Sequence, residues 1–156
     1  MRVEEVMTKD VSCCNPCTSA AAAAEMMLSR DCGVLPVLED SGQLVGMVTD
    51  RDLFIALGTQ NRPAAELQVG AIMRQEPSLC APEDDVRNAL KTMAQQRVHR
   101  LPVVDKSGEL KGILSMNDLV LQPQAETNGV FKDDVIRTLK AICEHRQPAQ
   151  SKQAVA

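Results

Sequence analysis

The 156-residue sequence predicts an α+β fold of sandwich-like (α/β) layering. Two helix–strand–turn–strand–helix units pack by pseudo-twofold symmetry, and a C-terminal helix follows them. Three observations predict this. "LPVLEDSGQLVGMVTDRDL" (35–53) returns as "LPVVDKSGELKGILSMNDL" (101–119). The same offset of 66 relates Met7 to Met73, Pro16 to Pro82, Gly46 to Gly112 and Asp52 to Asp118, with no gap from 3–55 to 69–121. A unit of ~55 residues buries too little surface to stand comfortably alone, so two copies in one chain pack on each other.

Each element can be read twice. After Pro16 and Pro82, Ala20, Ala24 and Met27 match Val86, Leu90 and Met93 at i, i+4 and i+7, the apolar face of a helix. Thr18-Ser19 and Asp84-Asp85 supply N-cap chemistry ahead of it. Val34–Leu38 and Leu101–Val104 read as strands, being short, apolar and branched. "EDSG" and "DKSG" are turns whose glycine can take positive φ. A second strand, Leu44–Val48 or Leu110–Leu114, runs into Thr49 or Ser115, where a short helix starts. A further short strand is expected near Val11. The organisation is unit one over 1–58, a linker over 59–68 and unit two over 69–122. An extension over 123–146 carries an amphipathic helix with Phe131, Val135, Leu139 and Ile142 on one face, and a disordered tail occupies 147–156. That helix could dock on its own module, pair with a second chain or meet a partner. The segment 122–129 reads as a loop.

Composition excludes several functions. A net charge of −4 argues against a nucleic-acid binder. Phe54 and Phe131 are the only aromatics, so there is no platform for base stacking. No apolar run approaches the ~20 residues of a membrane helix, and "MRVEEVMTKD" is too polar for a signal peptide, so no membrane association and a cytoplasmic location are expected. Three of six cysteines crowd into "SCCNPC". Cys13, Cys14 and Cys17 align with Leu79, Cys80 and Glu83, which points to packing. A zinc site would need a second ligand pair, so no metal is expected. Cys17, near a helix start, is the candidate reactive thiol. With two histidines, His99 and His145, and no nucleophile–base pair in view, catalysis is not expected.

The chemistry concentrates where the second strand ends: Thr49-Asp50-Arg51-Asp52 and Ser115-Met116-Asn117-Asp118. This pattern is a capping box, which needs no ligand. It is also compatible with a nucleotide site, where a helix start and hydroxyl meet phosphate and a carboxylate meets ribose.

The whole arrangement resembles a tandem pair of cystathionine-beta-synthase (CBS) domains, a Bateman module, of the stand-alone type. The lead-ins "VEEVMTKD" and "VGAIMRQE", the hairpins "LPVLEDSGQLVG" and "LPVVDKSGELKG", and the motifs "GMVTDRD" and "GILSMND" carry the resemblance. It implies that AMP, ADP, ATP or S-adenosylmethionine binds in clefts between the units, with no cofactor required. Asp52 and Asp118 would contact ribose, and Thr49 and Ser115 phosphate. It also implies homodimerisation into a disc and an effector protein acted on in trans. "RVHRLPVVD" is similar to the region that meets phosphate in the gamma subunit of AMP-activated protein kinase. His99 and Arg100 are therefore expected beside the Ser115/Asp118 cleft, which should prefer the more phosphorylated ligand, although His99 could be a packed interface residue and Arg100 a solvated one. By the repeat register Val11, Cys32 and Val98 would wall the adenine. Ser12 and Ser78 would offer edge contacts, and Gly33 stands where the second copy has His99. Two competing readings are a structural or dimerisation module whose motifs only cap helices, and a redox or metal sensor built on the cysteines.

Overall fold

A computed structural model describes residues 1–123 and 129–144. Most of the loop expected over 122–129, His145 and the tail expected over 147–156 lie outside the described residues. The chain opens on a one-turn helix, α1 (Val3–Val6). Unit one comprises α2 (Ala20–Ser29), β1 (Val34–Leu38), β2 (Leu44–Thr49) and α3 (Asp50–Gln60). A 3-10 turn (Val69–Ala71) and the two-residue β3 (Arg74–Gln75) lead into unit two: α4 (Val86–Gln96), β4 (Arg100–Val104), β5 (Leu110–Ser115) and α5 (Met116–Val120). Helix α6 (Gly129–Cys143) follows.

The repeat holds down to its irregularities. Ser19 caps α2 by accepting from the Ala22 N–H, and Asp85 caps α4 by accepting from the Arg87 N–H. The two antiparallel hairpins share one register and shift at the same place, Val37/Leu38 and Val103/Val104. Gly42 (φ 82°) and Gly108 (φ 84°) occupy a left-handed conformation that only glycine adopts cheaply.

The lead-ins change partners. The segment before unit one packs on unit two: Thr8 bridges Ile113 and Arg2 bridges Asp85. The segment before unit two packs on unit one: β3 pairs with Gly46 and Met47 of β2, and Gln68 bridges Ser19. The hairpin glycines permit this exchange. A Cβ on Gly112 would sit 2.5 Å from the Thr8 carbonyl oxygen, and one on Gly46 would sit 2.7 Å from Met73 Sδ. The two cores follow the exchange, with Val3 buried in the core of unit two and Leu67 and Val69 in that of unit one. Between the units Val34, Met47 and Ile113 form a third apolar cluster, with Val11 and Leu44 against it.

Several expectations need correction. No strand forms at Val11, where the segment touches the sheet only through an isolated bridge from Cys14 to Val37, repeated as Cys80 to Val103. Helix α3 continues to Gln60, inside the expected linker, and ends on Asn61 in a left-handed conformation. Leu67, near the end of that linker, is buried. Strand β4 begins one residue early, at Arg100, and β2 and β5 each run one residue further, to Thr49 and Ser115. Ala24 is exposed while its counterpart Leu90 is buried, because α6 covers only the second unit. Helix α6 docks on its own module. Phe131 and Val135 are buried, the Thr138 hydroxyl donates to the Leu90 carbonyl at 3.4 Å, and Arg87 pairs with Asp134 at 3.3 Å. Among the described residues no helix is long and apolar enough to cross a membrane.

Candidate functional site: two clefts across the pseudo-twofold

The exchange of partners builds two cavities, of about 380 and about 510 Å³, each walled by both units. The first lies between the Thr49 helix start of unit one and the Gln75–Ser78 and Arg97–Arg100 segments of unit two. The second lies between the Ser115 helix start of unit two and the Asp10–Ser12 and Arg30–Val34 segments of unit one. The offset of 66 relates most of the two linings, with Thr49 answering to Ser115, Glu76 to Asp10, Ser78 to Ser12 and Val98 to Cys32.

Each motif forms a complete capping box. Thr49 N–H and Oγ1 donate to Asp52 Oδ2 at 3.0 and 2.6 Å, and Asp52 N–H donates back to Thr49 Oγ1 at 3.1 Å. Ser115 N–H and Oγ donate to Asp118 Oδ2 at 2.7 and 2.6 Å, with the return bond at 3.2 Å. One oxygen of each carboxylate is therefore committed to the cap. The other is met by the exchanged lead-in. Arg74 Nε and Nη2 donate to Asp52 Oδ1 at 3.2 and 3.1 Å, whereas Thr8 Oγ1 donates to Asp118 Oδ1 at 3.1 Å. The first N–H groups of α3 are also engaged: Asp50 N–H by the Gly33 carbonyl and Arg51 N–H by Asp50 Oδ1. A phosphate in the first cavity would therefore be held chiefly by side chains.

The placement of His99 overturns one expectation. His99 lines the Thr49 cavity, not the Ser115 cavity, and it is exposed, not packed. The cause is the crossing of partners, since each strand entry faces the motif of the opposite unit. Arg100, half-buried at the start of β4, lines both cavities. The adenine-wall candidates divide the same way. Val98 and Ser78 line the Thr49 cavity, and Val11, Ser12, Cys32 and Gly33 line the Ser115 cavity. Gly33 leaves room for the Asp50 side chain. A Cβ there would lie 2.9 Å from Asp50 Oδ2, whereas the equivalent neighbour of His99 is the buried Met116.

The cysteines do not join either motif as a cluster. Cys14 and Cys80 are buried at equivalent strand contacts, and burial pushes their thiols up to about 11 and about 12. Burial raises Cys13 as well. Cys17 is exposed on a turn in which its N–H donates to Asn15 Oδ1. Among the described residues no group of three or more His, Cys, Asp or Glu side chains is placed to hold a metal ion.

The family model described as CBS domain matches residues 3–59 and 69–123. The chain belongs to the CBS-domain family. The CBS domain-containing protein YhcV of Bacillus subtilis is 34% identical over 119 residues, covering 76% of this chain and 83% of that protein. The solved structure of CBSX2 in complex with AMP superposes with a TM-score of 0.67 at 28% identity, covering 76% of this chain and 92% of that one. The CBS domain pair of MJ0100, in complex with 5′-methylthioadenosine and S-adenosyl-L-methionine, shares the fold with a TM-score of 0.69 at 22% identity, covering 76% and 91%. The chain spans 60% of an uncharacterized relative from Methanopyrus kandleri and 23% of the inosine-5′-monophosphate dehydrogenase of Thermoplasma acidophilum. These two solved CBS pairs carry adenosine ligands, and the present CBS pair has two cavities related by its internal symmetry.

Charged lining residues that escaped the sequence reading include Arg51, Arg74, Arg97, Glu76, Asp10, Arg30 and Asp31. The repeat register held the signal. Arg74 aligns with Thr8, Arg97 with Asp31 and Arg51 with Asn117, three of the register positions at which the lining charge changes.

Proposed function

We propose that this CBS pair is a non-catalytic regulatory module that binds adenosine ligands (AMP, ADP, ATP or S-adenosylmethionine) in its two inter-unit clefts. Binding shifts the relative pose of the units, and the change passes to an effector protein in trans in the cytoplasm. The observation that carries the reading is the pair of equivalent cavities. Each is bounded by a hydroxyl–carboxylate helix start from one unit and an entering strand from the other. A ligand in either cavity touches both units, so it couples their relative position to occupancy. Homodimerisation belongs to the same proposal. Leu28, Phe54 and Ile55 leave an apolar face exposed on unit one, and Val120 and Leu121 repeat the last two positions on unit two. Light scattering on a sizing column tests that part, with a dimer expected.

A thermal-shift panel tests the binding itself. A ligand specific for the folded state adds about 2.7 kcal/mol at a hundred times its dissociation constant. For a domain of this size that is several degrees of Tm. A flat response to millimolar AMP, ADP, ATP and S-adenosylmethionine would overturn the reading. The second reading, a structural module whose motifs only cap helices, is favoured by the completeness of both capping boxes. Asp118→Ala separates the two. It should lower baseline stability by about 1 kcal/mol as a lost cap in either case, but only a binding role also removes part of the ligand-induced shift.

A further inference from the structure

The two cavities share a frame and differ in charge. Four arginines line the Thr49 cavity (Arg51, Arg74, Arg97 and Arg100) against the carboxylates of Asp50 and Glu76, and His99 stands on its rim. Two of these arginines also hold carboxylates outside the lining, Arg74 on Asp52 at 3.1 Å and Arg97 on Glu144 at 3.2 Å, so the excess of cations belongs to the lining itself. The Ser115 cavity reverses the balance: Asp10, Asp31 and Asp118 oppose Arg30 and Arg100. Arg100 lines both, so it does not discriminate. The difference arises at equivalent positions. Arg51 faces one cleft where Asn117 faces the other, and Arg74 stands where the other cleft has Thr8. Arg97 stands where the other has Asp31, both in the left-handed conformation that ends their helices.

We infer that the two clefts sort adenosyl ligands by charge. The Thr49 cleft takes the one bearing a polyphosphate, and the Ser115 cleft takes one whose 5′ group is uncharged or cationic, such as a thioether or sulfonium. This rests on the adenosine-binding reading above and names the ligand class of each cleft.

The physics follows from the lining. Guanidinium forks donate paired hydrogen bonds to phosphate oxygens, and Arg74 uses only its Nε and Nη2 toward Asp52, with donors to spare. In the first turn of α3 the Asp50 and Arg51 N–H groups are already engaged, so these side chains supply the attraction. In the Ser115 cleft a triphosphate would meet three carboxylates against two arginines, Arg30 and Arg100. Repulsion there disfavours the anion, whereas a sulfonium is attracted. The neutral adenosine portion is common to both ligands, so the 5′ substituent decides.

The test is calorimetric titration of the full chain with ATP, S-adenosylmethionine and 5′-methylthioadenosine, singly and in the presence of one another. The expected result is one tight site for ATP that S-adenosylmethionine does not compete for, and one site for S-adenosylmethionine that ATP does not displace. The reciprocal variants assign the clefts. Arg51→Asn should weaken ATP about tenfold and leave S-adenosylmethionine unchanged, a loss sized by one partly screened charge. Asn117→Arg should weaken S-adenosylmethionine and open a second ATP site. Arg97→Asp and Asp31→Arg repeat the exchange at a second position, where each backbone already accommodates the incoming residue in the opposite unit. Competition of ATP and S-adenosylmethionine for one site, two equal ATP sites in the wild type, or equal weakening of both ligands by Arg51→Asn would each overturn the inference and leave adenosine binding standing. No binding of any of the three would overturn the adenosine reading itself, and the inference with it.

Discussion

At the Thr49 end a guanidinium crosses from the other unit to the motif carboxylate; at the Ser115 end a threonine hydroxyl makes the same crossing. The frame is the same in both places: a capping box, an exchanged lead-in and an entering strand. Only the atoms that face the cavity have diverged. The outer faces diverge too. Unit two has its α4 face covered by α6, while the equivalent face of unit one presents Ala24 and Leu28 to solvent. A duplicated unit has therefore kept the positions that hold the fold. It has changed those that line the clefts on the inside and meet a helix on the outside.

The outer-face contrast offers the largest test. Phe131 is 4% exposed in α6, whereas Phe54 on α3 is 77% exposed. Phe131→Ala should cost about 3–5 kcal/mol, the usual loss for a buried aromatic. Phe54→Ala should stay within about 0.5 kcal/mol for a monomer. Urea melts at low protein concentration measure both. Similar losses at the two sites would break the contrast and show that Phe54 is covered in solution. If the Phe54 loss then grew with protein concentration, a second copy would be the cover.

Next in size are the hairpin glycines. Gly112→Ala places a methyl 2.5 Å from a backbone oxygen, that of Thr8, and backbone cannot swing aside. Gly46→Ala meets first the Met73 thioether, which can move, and then the Arg74 carbonyl at 2.9 Å. Overpacking costs about 1–3 kcal/mol, and Gly112→Ala should fall at the upper end with Gly46→Ala below it. Gly112→Ala should also loosen the Thr8–Asp118 bond and so weaken the Ser115 cleft selectively. The same titrations check this, with ATP affinity at the Thr49 cleft as the internal control.

The repeat made most of the fold legible before any coordinate. Gly42, Gly108, Ser19 and Asp85 each announce a local conformation, and the register carried that reading from one copy to the other. The capping boxes of Thr49 with Asp52 and Ser115 with Asp118 were legible for the same reason, although Asp52 holds Arg74 and does not line the Thr49 cavity. The exchange of lead-ins was not legible, because it depends on which sheet edge a segment reaches, and local pattern is silent on that. His99 was consequently assigned to the wrong cleft: its carbonyl accepts from Met116 of its own unit's motif, but the residue lines the cavity of the other unit's motif. Arg74 was passed over because in the sequence it is only a charged residue after Met73. The bond to Asp52 that gives it meaning spans 22 residues and the pseudo-twofold. Gly33 was read as a missing charge. In the structure the Asp50 carboxylate fills the space beside it, so a side chain there would have to displace Asp50.

The smallest contrast lies between Cys14 and Cys80, equivalent thiols at equivalent bridges. Burial raises both, to about 11 and about 12 from an ordinary value of 9.0, and the charge of Asp84 adds to the Cys80 shift while that of Cys13 adds to Cys14. The folded state keeps these protons when the unfolded chain gives them up. Their contribution to stability is therefore complete below pH 9 and falls as pH rises from there toward the folded values. The slope is about 1.4 kcal/mol per pH unit for each thiol while only the unfolded form is ionised. Cys80→Ala should flatten that alkaline limb over a wider pH range than Cys14→Ala, because its folded value is higher. Denaturant midpoints from pH 8 to about 12 measure it. The slope is the readout here, since either substitution lowers stability at every pH by removing a buried sulfur. An unchanged alkaline slope in both variants would show that the thiols reach solvent before the fold opens, and it would place the two strand contacts among the looser parts of each unit.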